Sequence, residues 1–152
     1  MREMLKAGKS AELLASADRR SAANPDDPWA HKMRAKTFEY LKRYDEAIEH
    51  VRWLLAHEPE SLPMNHFWLA DLLATVGDFP NAILHFSEVI ATKEPYFINI
   101  AHFFRAECHL RVKEYAKAIE DIESVPVGLP YYPRPREMVL DEAMKGLASD
   151  KK

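Results

Sequence analysis

His31–Val51 reads HKMRAKTFEYLKRYDEAIEHV, and its pattern returns as HFWLADLLATVGDFPNAILHF at His66–Phe86 and HFFRAECHLRVKEYAKAIEDI at His102–Ile122. Each stretch opens on His and reaches Ala four residues later. A second Ala, followed by Ile, comes twelve residues after the first. The first alanines, Ala35, Ala70 and Ala106, are separated by 35 (70 − 35) and 36 (106 − 70) residues. Ala47, Ala82 and Ala118 repeat those separations, so the internal spacing is constant and the extra residue falls between units. A fixed period of this size marks a stacked-repeat fold, in which each unit buries its apolar face against a neighbour.

Every unit reads as two helices. An aromatic opens the second helix at Tyr44, Phe79 and Tyr115. Apolar residues continue at helical spacing through Val51/Leu54, Phe86/Val89 and Ile122/Val125, and the helices stop near Pro59, Pro95 and Pro126. Proline ends a helix because it lacks the N–H and clashes with the preceding turn. The alanines stand where two helices cross closely, since a small side chain lets backbones approach.

The pattern resembles the tetratricopeptide repeat, a helix–turn–helix unit of about 34 residues. AKTF, YDEAIEHV and Pro59 carry it in the first unit. ADLL with GDFPNAILHF carries it in the second, and AECH, EYAKAIEDI and Pro130 in the third, so the resemblance covers roughly residues 28–130. The chain departs from the family where histidine replaces the usual Trp and where Arg34 and Arg105 replace a usual Leu. Pro126 also precedes the closing proline, which predicts a shortened last second helix. The resemblance implies an all-α fold, a right-handed α-solenoid of antiparallel helix pairs in a single domain. Its repeats would occupy 28–59, 63–95 and 99–130.

Both ends extend this frame. Gly8 stands seventeen residues before Pro25, much as Gly77 stands eighteen before Pro95, so 1–25 reads as an N-terminal half repeat. At the other end, Pro135 with apolar Met138, Leu140, Ala143, Met144 and Leu147 reads as a capping helix over 135–148. The total is about eight helices.

Composition narrows the function. With 152 residues, 47% hydrophobic and 30% charged, the chain is long and apolar enough for a real core. A net charge of −3 gives no basic face for nucleic acid. One cysteine cannot form an intrachain disulfide. Charges at Arg2, Glu3, Lys6, Lys9 and Glu12 argue against a signal peptide. No apolar stretch approaches the ~18 residues that span a bilayer. The expected setting is cytoplasmic, without membrane or nucleic-acid partners.

The residues most suggestive of chemistry are His102, Cys108 and His109. His102 and His109 share a helix face but lie ~10 Å apart along it, too far for one zinc ion holding nitrogen at about 2.1 Å. His102 also recurs as His31 and His66, so the three histidines read as packing or hydrogen-bonding groups between helices. The competing reading is that they make the array pH-sensitive. Cys108 reads as an inert thiol, although Arg105 and Arg111 stand three residues to either side. No phosphate-cradling glycine loop and no G-x-S-x-G occurs. The expectation is a non-enzyme with no cofactor and no metal.

In tetratricopeptide proteins the first helices line a concave groove, and the resemblance therefore implies a partner-binding row from each. Lys32, Lys36, Glu39 and Tyr40 form the first; Phe67, Asp71, Ala74 and Thr75 the second; Phe103, Glu107, Leu110 and Arg111 the third. Phe67 and Phe103 are candidate apolar anchors, Lys32, Lys36 and Arg111 candidate carboxylate holders, and Asp71 and Glu107 candidate acceptors for basic groups. The alternative is that the phenylalanines pack between repeats and the charges only solubilise. A basic clamp of the kind that binds chaperone C-termini includes asparagines, and none falls on the inner first-helix face. Pro130 and Pro133, followed by Arg134 and Arg136, form P-x-x-P, which competes with a plain linker reading. The expected function is protein or peptide binding as an adaptor. Alternatives are a small carrier or chaperone for a secreted or toxic partner, and a self-assembling scaffold that meets a second copy through the N-terminal half repeat.

Overall fold

The computed structural model describes residues 9–128 and 133–150. Among the described residues there are eight α-helices and no strand: α1 Ser10–Ala23, α2 Pro28–Tyr40, α3 Tyr44–His57, α4 Leu62–Thr75, α5 Phe79–Ala91, α6 Pro95–Arg111, α7 Tyr115–Glu123 and α8 Arg136–Ser149. A single 3-10 turn, Pro59–Ser61, precedes α4. Residues 1–8 of the expected N-terminal half repeat, and Pro130, Tyr131 and Tyr132 of the proline-rich stretch, lie outside the described residues. The chain divides into two compact units, Met1–Asn65 and His66–Lys152, and the division falls inside α4.

One turn recurs in all three repeats. Helices α2/α3, α4/α5 and α6/α7 are each joined by three residues, and the middle one has positive φ: Lys42 at 58°, Gly77 at 86° and Lys113 at 61°. Arg43, Asp78 and Glu114 then donate their N–H to the carbonyls of Phe38, Leu73 and His109 at 2.8, 2.9 and 2.9 Å. Lys42, Gly77 and Lys113 close the inner bonds to Glu39, Ala74 and Leu110. This is the Schellman arrangement, which satisfies otherwise orphaned helix-end carbonyls. Glycine adopts this backbone without penalty, whereas a lysine carries a cost on the order of 1 kcal/mol.

In the first unit, α1 packs on α2 through Leu13, Ala17, Ala30 and Met33. Helix α2 starts at Pro28 because Asp27 caps it, accepting the Trp29 N–H at 3.0 Å. Arg20 on α1 reaches the same carboxylate at 2.5 Å, and this hydrogen bond is the main cause holding the Asp27 carboxyl below the usual range. Arg34, the departure from the family's Leu, spends its guanidinium on α1. It bonds Ser21 Oγ at 2.8 Å and Asp18 Oδ1 at 2.5 Å.

The second unit has a larger core. Phe103, Ala106 and Leu110 of α6 meet Ala118 and Ile122 of α7, Val125, and Val139 and Ala143 of α8. Burying a side chain such as Phe103 stabilises by about 2–3 kcal/mol. Helix α7 has 9 residues where α3 has 14 and α5 has 13, as the early Pro126 predicts. Helix α8 closes the end of the unit over α7, and Gly146 lies so close to the Tyr115 ring that any Cβ there would collide with it.

Candidate partner-binding surface

The expected rows are placed unevenly. In the first unit Lys32 gives its Nζ to Glu58 Oε1 at 2.8 Å, and Lys36 pairs with Glu39 at 3.2 Å. Tyr40 stands open at 51% exposure. In the second unit Phe67 is half-buried, its ring 5.5 Å from Phe86, 6.0 Å from Phe97 and 5.8 Å from Phe104. Asp71 is half-buried; Thr75 is exposed, and its hydroxyl donates to the Asp71 carbonyl.

Phe103 corrects the expectation of an exposed anchor. Its side chain is fully buried in the α6/α7/α8 core, and Leu110 is buried with it. Adjacent Phe104 takes the more open position, half-buried beside Phe67, Phe86 and Phe103. Glu107 is likewise occupied. Arg134 bonds both its oxygens, at 2.6 and 2.9 Å, and takes Glu142 at 2.6 Å as well. The Glu107 bond is the largest cause raising the Arg134 guanidinium above its usual range.

These placements frame a cleft of about 340 Å³ within the second unit, lined by Ala74 of α4, Phe79 of α5, Phe104, Glu107, Cys108 and Arg111 of α6, and Pro133 and Arg134. Its walls are predominantly apolar, with Phe79 and Phe104 as the large faces. Arg111 is exposed and makes no hydrogen bond or ion pair among the described residues. The Cys108 thiol is 3% exposed. Burial first, then the charges of Glu107 and Asp71, push it up to about 12 against the opposing pull of Arg111. It is a wall, not a nucleophile. Phe104 could have been found by moving the α6 wheel one position. Arg134 could not, because it comes to Glu107 from 27 residues further along the chain.

The repeat histidines form bonds between the two helices of each pair, always 19 residues apart. His31 Nδ1 faces His50 Nδ1 at 3.0 Å, and His66 Nδ1 faces His85 Nδ1 at 3.0 Å. In the third repeat His102 Nδ1 meets Asp121 Oδ1 at 2.8 Å. Arg105 joins Asp121 through Nη2 at 2.6 Å and Nε at 2.8 Å, and extends Nη1 to Ser87 Oγ at 2.8 Å. Burial acts to raise the Asp121 carboxyl, but the bonds from Arg105 and His102 outweigh it and hold it below the usual range. In the first repeat His31 also stacks on Trp53 at 3.7 Å. Burial, then the charges of His31 and Arg34, depress His50 to about 4. No three His, Cys, Asp or Glu side chains converge as a metal-holding group among the described residues. No helix there is long and apolar enough to cross a membrane.

The family model of the tetratricopeptide repeat matches residues 32–96 and 69–133, two thirds of the chain between them. The chain belongs to the tetratricopeptide repeat family. No curated protein matches this tetratricopeptide protein by sequence at a significant level. Solved structures are similar in fold. A TPR2B-domain:pHsp70 complex of yeast Sti1 matches at 22% identity with a TM-score of 0.66, over 78% of this chain and 96% of that one. MamA matches at 19% identity and a TM-score of 0.70, over 97% of this chain and 84% of that one. PilW, described as a widely conserved type IV pilus biogenesis factor, matches at 20% and 0.70, over 97% and 73%. The fold class is therefore that of a tetratricopeptide α-solenoid built from helix pairs. Such arrays are a protein-interaction fold, and the fold alone does not choose the partner.

Proposed function

We propose that this tetratricopeptide protein is a non-enzymatic adaptor that binds an extended segment of another protein on the first-helix face of its second unit. The cleft at Phe79, Phe104 and Arg111 carries the reading. Its volume suits one bulky apolar side chain, its two aromatic walls offer the buried contact that dominates binding energy, and Arg111 stands free at the site to pair with an acidic group on the incoming segment. Glu107 is not a candidate contact for basic groups in this arrangement, because Arg134 holds both of its oxygens.

A displayed library of random peptides selected on the full chain tests the proposal. Enriched sequences should share a large apolar residue beside Asp or Glu. Their binding should weaken at least tenfold in Arg111→Glu and in Phe104→Ala. Amide signals of Ala74, Glu107 and Arg111 should shift on titration. Enriched peptides that bind both variants like wild type, or that shift only α5 and α7, would overturn the assignment.

A further inference from the structure

Arg134 borders the cleft, yet the binding reading gives it no task. It stands two residues before α8, and its Nε and Nη2 donate to the two oxygens of Glu107 on α6 at 2.6 and 2.9 Å. Its Nη1 donates to Glu142 Oε2 on α8 at 2.6 Å. Pro133, its neighbour in sequence, lines the same cleft. We propose that Glu107 and Glu142 form a subsite for a basic side chain of the partner, and that Arg134 fills it from within the chain and so sets which partners the cleft admits. The inference rests on the cleft being the partner site.

The fold does not depend on this pairing. Helix α8 is held by Val139 and Ala143, both fully buried in the core shared with α6 and α7, and by Arg136, whose Nε donates to the Val125 carbonyl at 2.7 Å. Arg134, Glu107 and Glu142 keep 29%, 23% and 55% of their side-chain surface exposed, and ion pairs so open to water contribute little stability. What the pairing supplies is recognition. A guanidinium is a planar fork that meets a carboxylate through two parallel N–H bonds, and Glu107 receives that fork.

A basic group from outside offers Glu107 the same charge-assisted bonds, so exchange strands no charge in the site while Arg134 moves into water. Arg134 holds the place because it is tethered, which raises its effective concentration at Glu107 above that of a residue in free solution. The consequence is a selection by charge. With Arg134 seated, the two glutamates are satisfied and an incoming segment meets Arg111 as the unpaired charge. Without it, two carboxylates stand against Arg111 alone. The charges of Glu107 and Asp71 both act on Cys108 in the cleft wall, so the surface left behind is acidic. It suits Arg or Lys beside an apolar residue, as Arg134 itself stands beside Pro133.

The test is selection of a displayed random-peptide library, in parallel, on the full wild-type chain, on Arg134→Ala and on Arg134→Ala/Glu107→Gln, each checked by far-UV circular dichroism. Arg134→Gln, which keeps most of the stem, takes the place of alanine where the fold is disturbed. Arg134→Ala should enrich peptides with Arg or Lys beside a large apolar residue, and these should bind it at least tenfold more tightly than wild type. Adding Glu107→Gln should abolish that gain. Equal binding of these peptides by wild type, or a gain that survives Glu107→Gln, would overturn the proposal. So would a variant that selects no basic peptide; acidic peptides selected by wild type would then leave the cleft reading standing without the subsite. Basic peptides on the variant, with none of any kind on wild type, would support the subsite while removing the acidic-partner reading.

Discussion

Asp121 is where one substitution has the largest calculable effect. Its side chain is 3% exposed and accepts three hydrogen bonds, two from Arg105 and one from His102, whose side chains are 21% and 16% exposed. Asp121→Ala removes every one of these acceptor sites and leaves a largely buried guanidinium facing a methyl group. Breaking a buried ion pair from one side costs about 3–5 kcal/mol. Arg105 keeps its bond to Ser87 and a fifth of its surface in water, so the low end applies: a loss of about 3 kcal/mol, or roughly 6–12 °C in Tm for a chain of this size. The second repeat shows a different solution at the same place, Leu69 with His85 opposite His66. The double variant Arg105→Leu/Asp121→His copies that solution and should recover to within about 1 kcal/mol of wild type, because it removes the charge together with its partner. Urea denaturation followed by far-UV circular dichroism reads both. A loss under about 1 kcal/mol for Asp121→Ala, or a double variant no better than the single, would refute the reasoning.

Other outcomes follow from the same coordinates. Unfolded histidine takes up its proton near 6.5, while burial keeps folded His50 neutral down to about 4. Stability should therefore be level above 6.5 and fall as pH drops toward 4, by about 1–2 kcal/mol once partial exposure is discounted; His50→Gln should flatten this slope in denaturant melts across that range. The Cys108 thiol, buried and pushed up to about 12, should react with a chromogenic disulfide reagent only on unfolding, so prompt stoichiometric labelling of the native chain would contradict its placement. Gly146→Ala drives a methyl into the Tyr115 ring and should cost about 1–3 kcal/mol, with hydrogen exchange accelerated first in α8. Asn65 is fully buried and both its amide atoms lack a hydrogen-bond partner among the described residues. Its counterparts are the buried alanines Ala30 and Ala101. Asn65→Ala should raise stability by about 1 kcal/mol, the relieved desolvation exceeding the small cavity left behind; a lower Tm would show the amide satisfied in solution.

The helices were legible because periodicity and punctuation agree. Ala35, Ala47, Ala70, Ala82, Ala106 and Ala118 are all buried, as crossing points require. Pro126 announced the short α7, and Gly77 announced a turn whose lysine counterparts, Lys42 and Lys113, carry no such signature in their side chains. Legibility ended at the surface. Whether Phe103 or Phe104 faces outward depends on a rotation of α6 about its axis, set by how α7 and α8 pack against it. A wheel drawn from α6 alone does not contain that information. Arg134 is a sharper case, since its approach to Glu107 is a tertiary contact with no local pattern. Asn65 is the opposite case: its side chain is polar, yet it occupies a position that in the other repeats is plainly core, at Ala30 and Ala101.

The histidines lead further than a question of packing. A helix pair in this fold needs the polar groups between its helices to be satisfied, and His102, Asp121 and Arg105 satisfy them fully in the third repeat. The paired histidines of the other two are thus one answer among several that the same backbone accepts, and the fold itself does not demand them. Between those two, the difference lies in what surrounds the rings. Arg34 and Trp53 close in on the first pair, one by charge and the other by stacking, and Arg34 is itself anchored to α1 by Ser21 and Asp18. Leu69 and Glu88 replace them in the second. Leu69→Arg alone should therefore destabilise, because Leu69 is buried and the guanidinium would find His85 where the third repeat offers Asp121; a variant as stable as wild type in urea denaturation would show that this place between the helices accepts a charge without its partner.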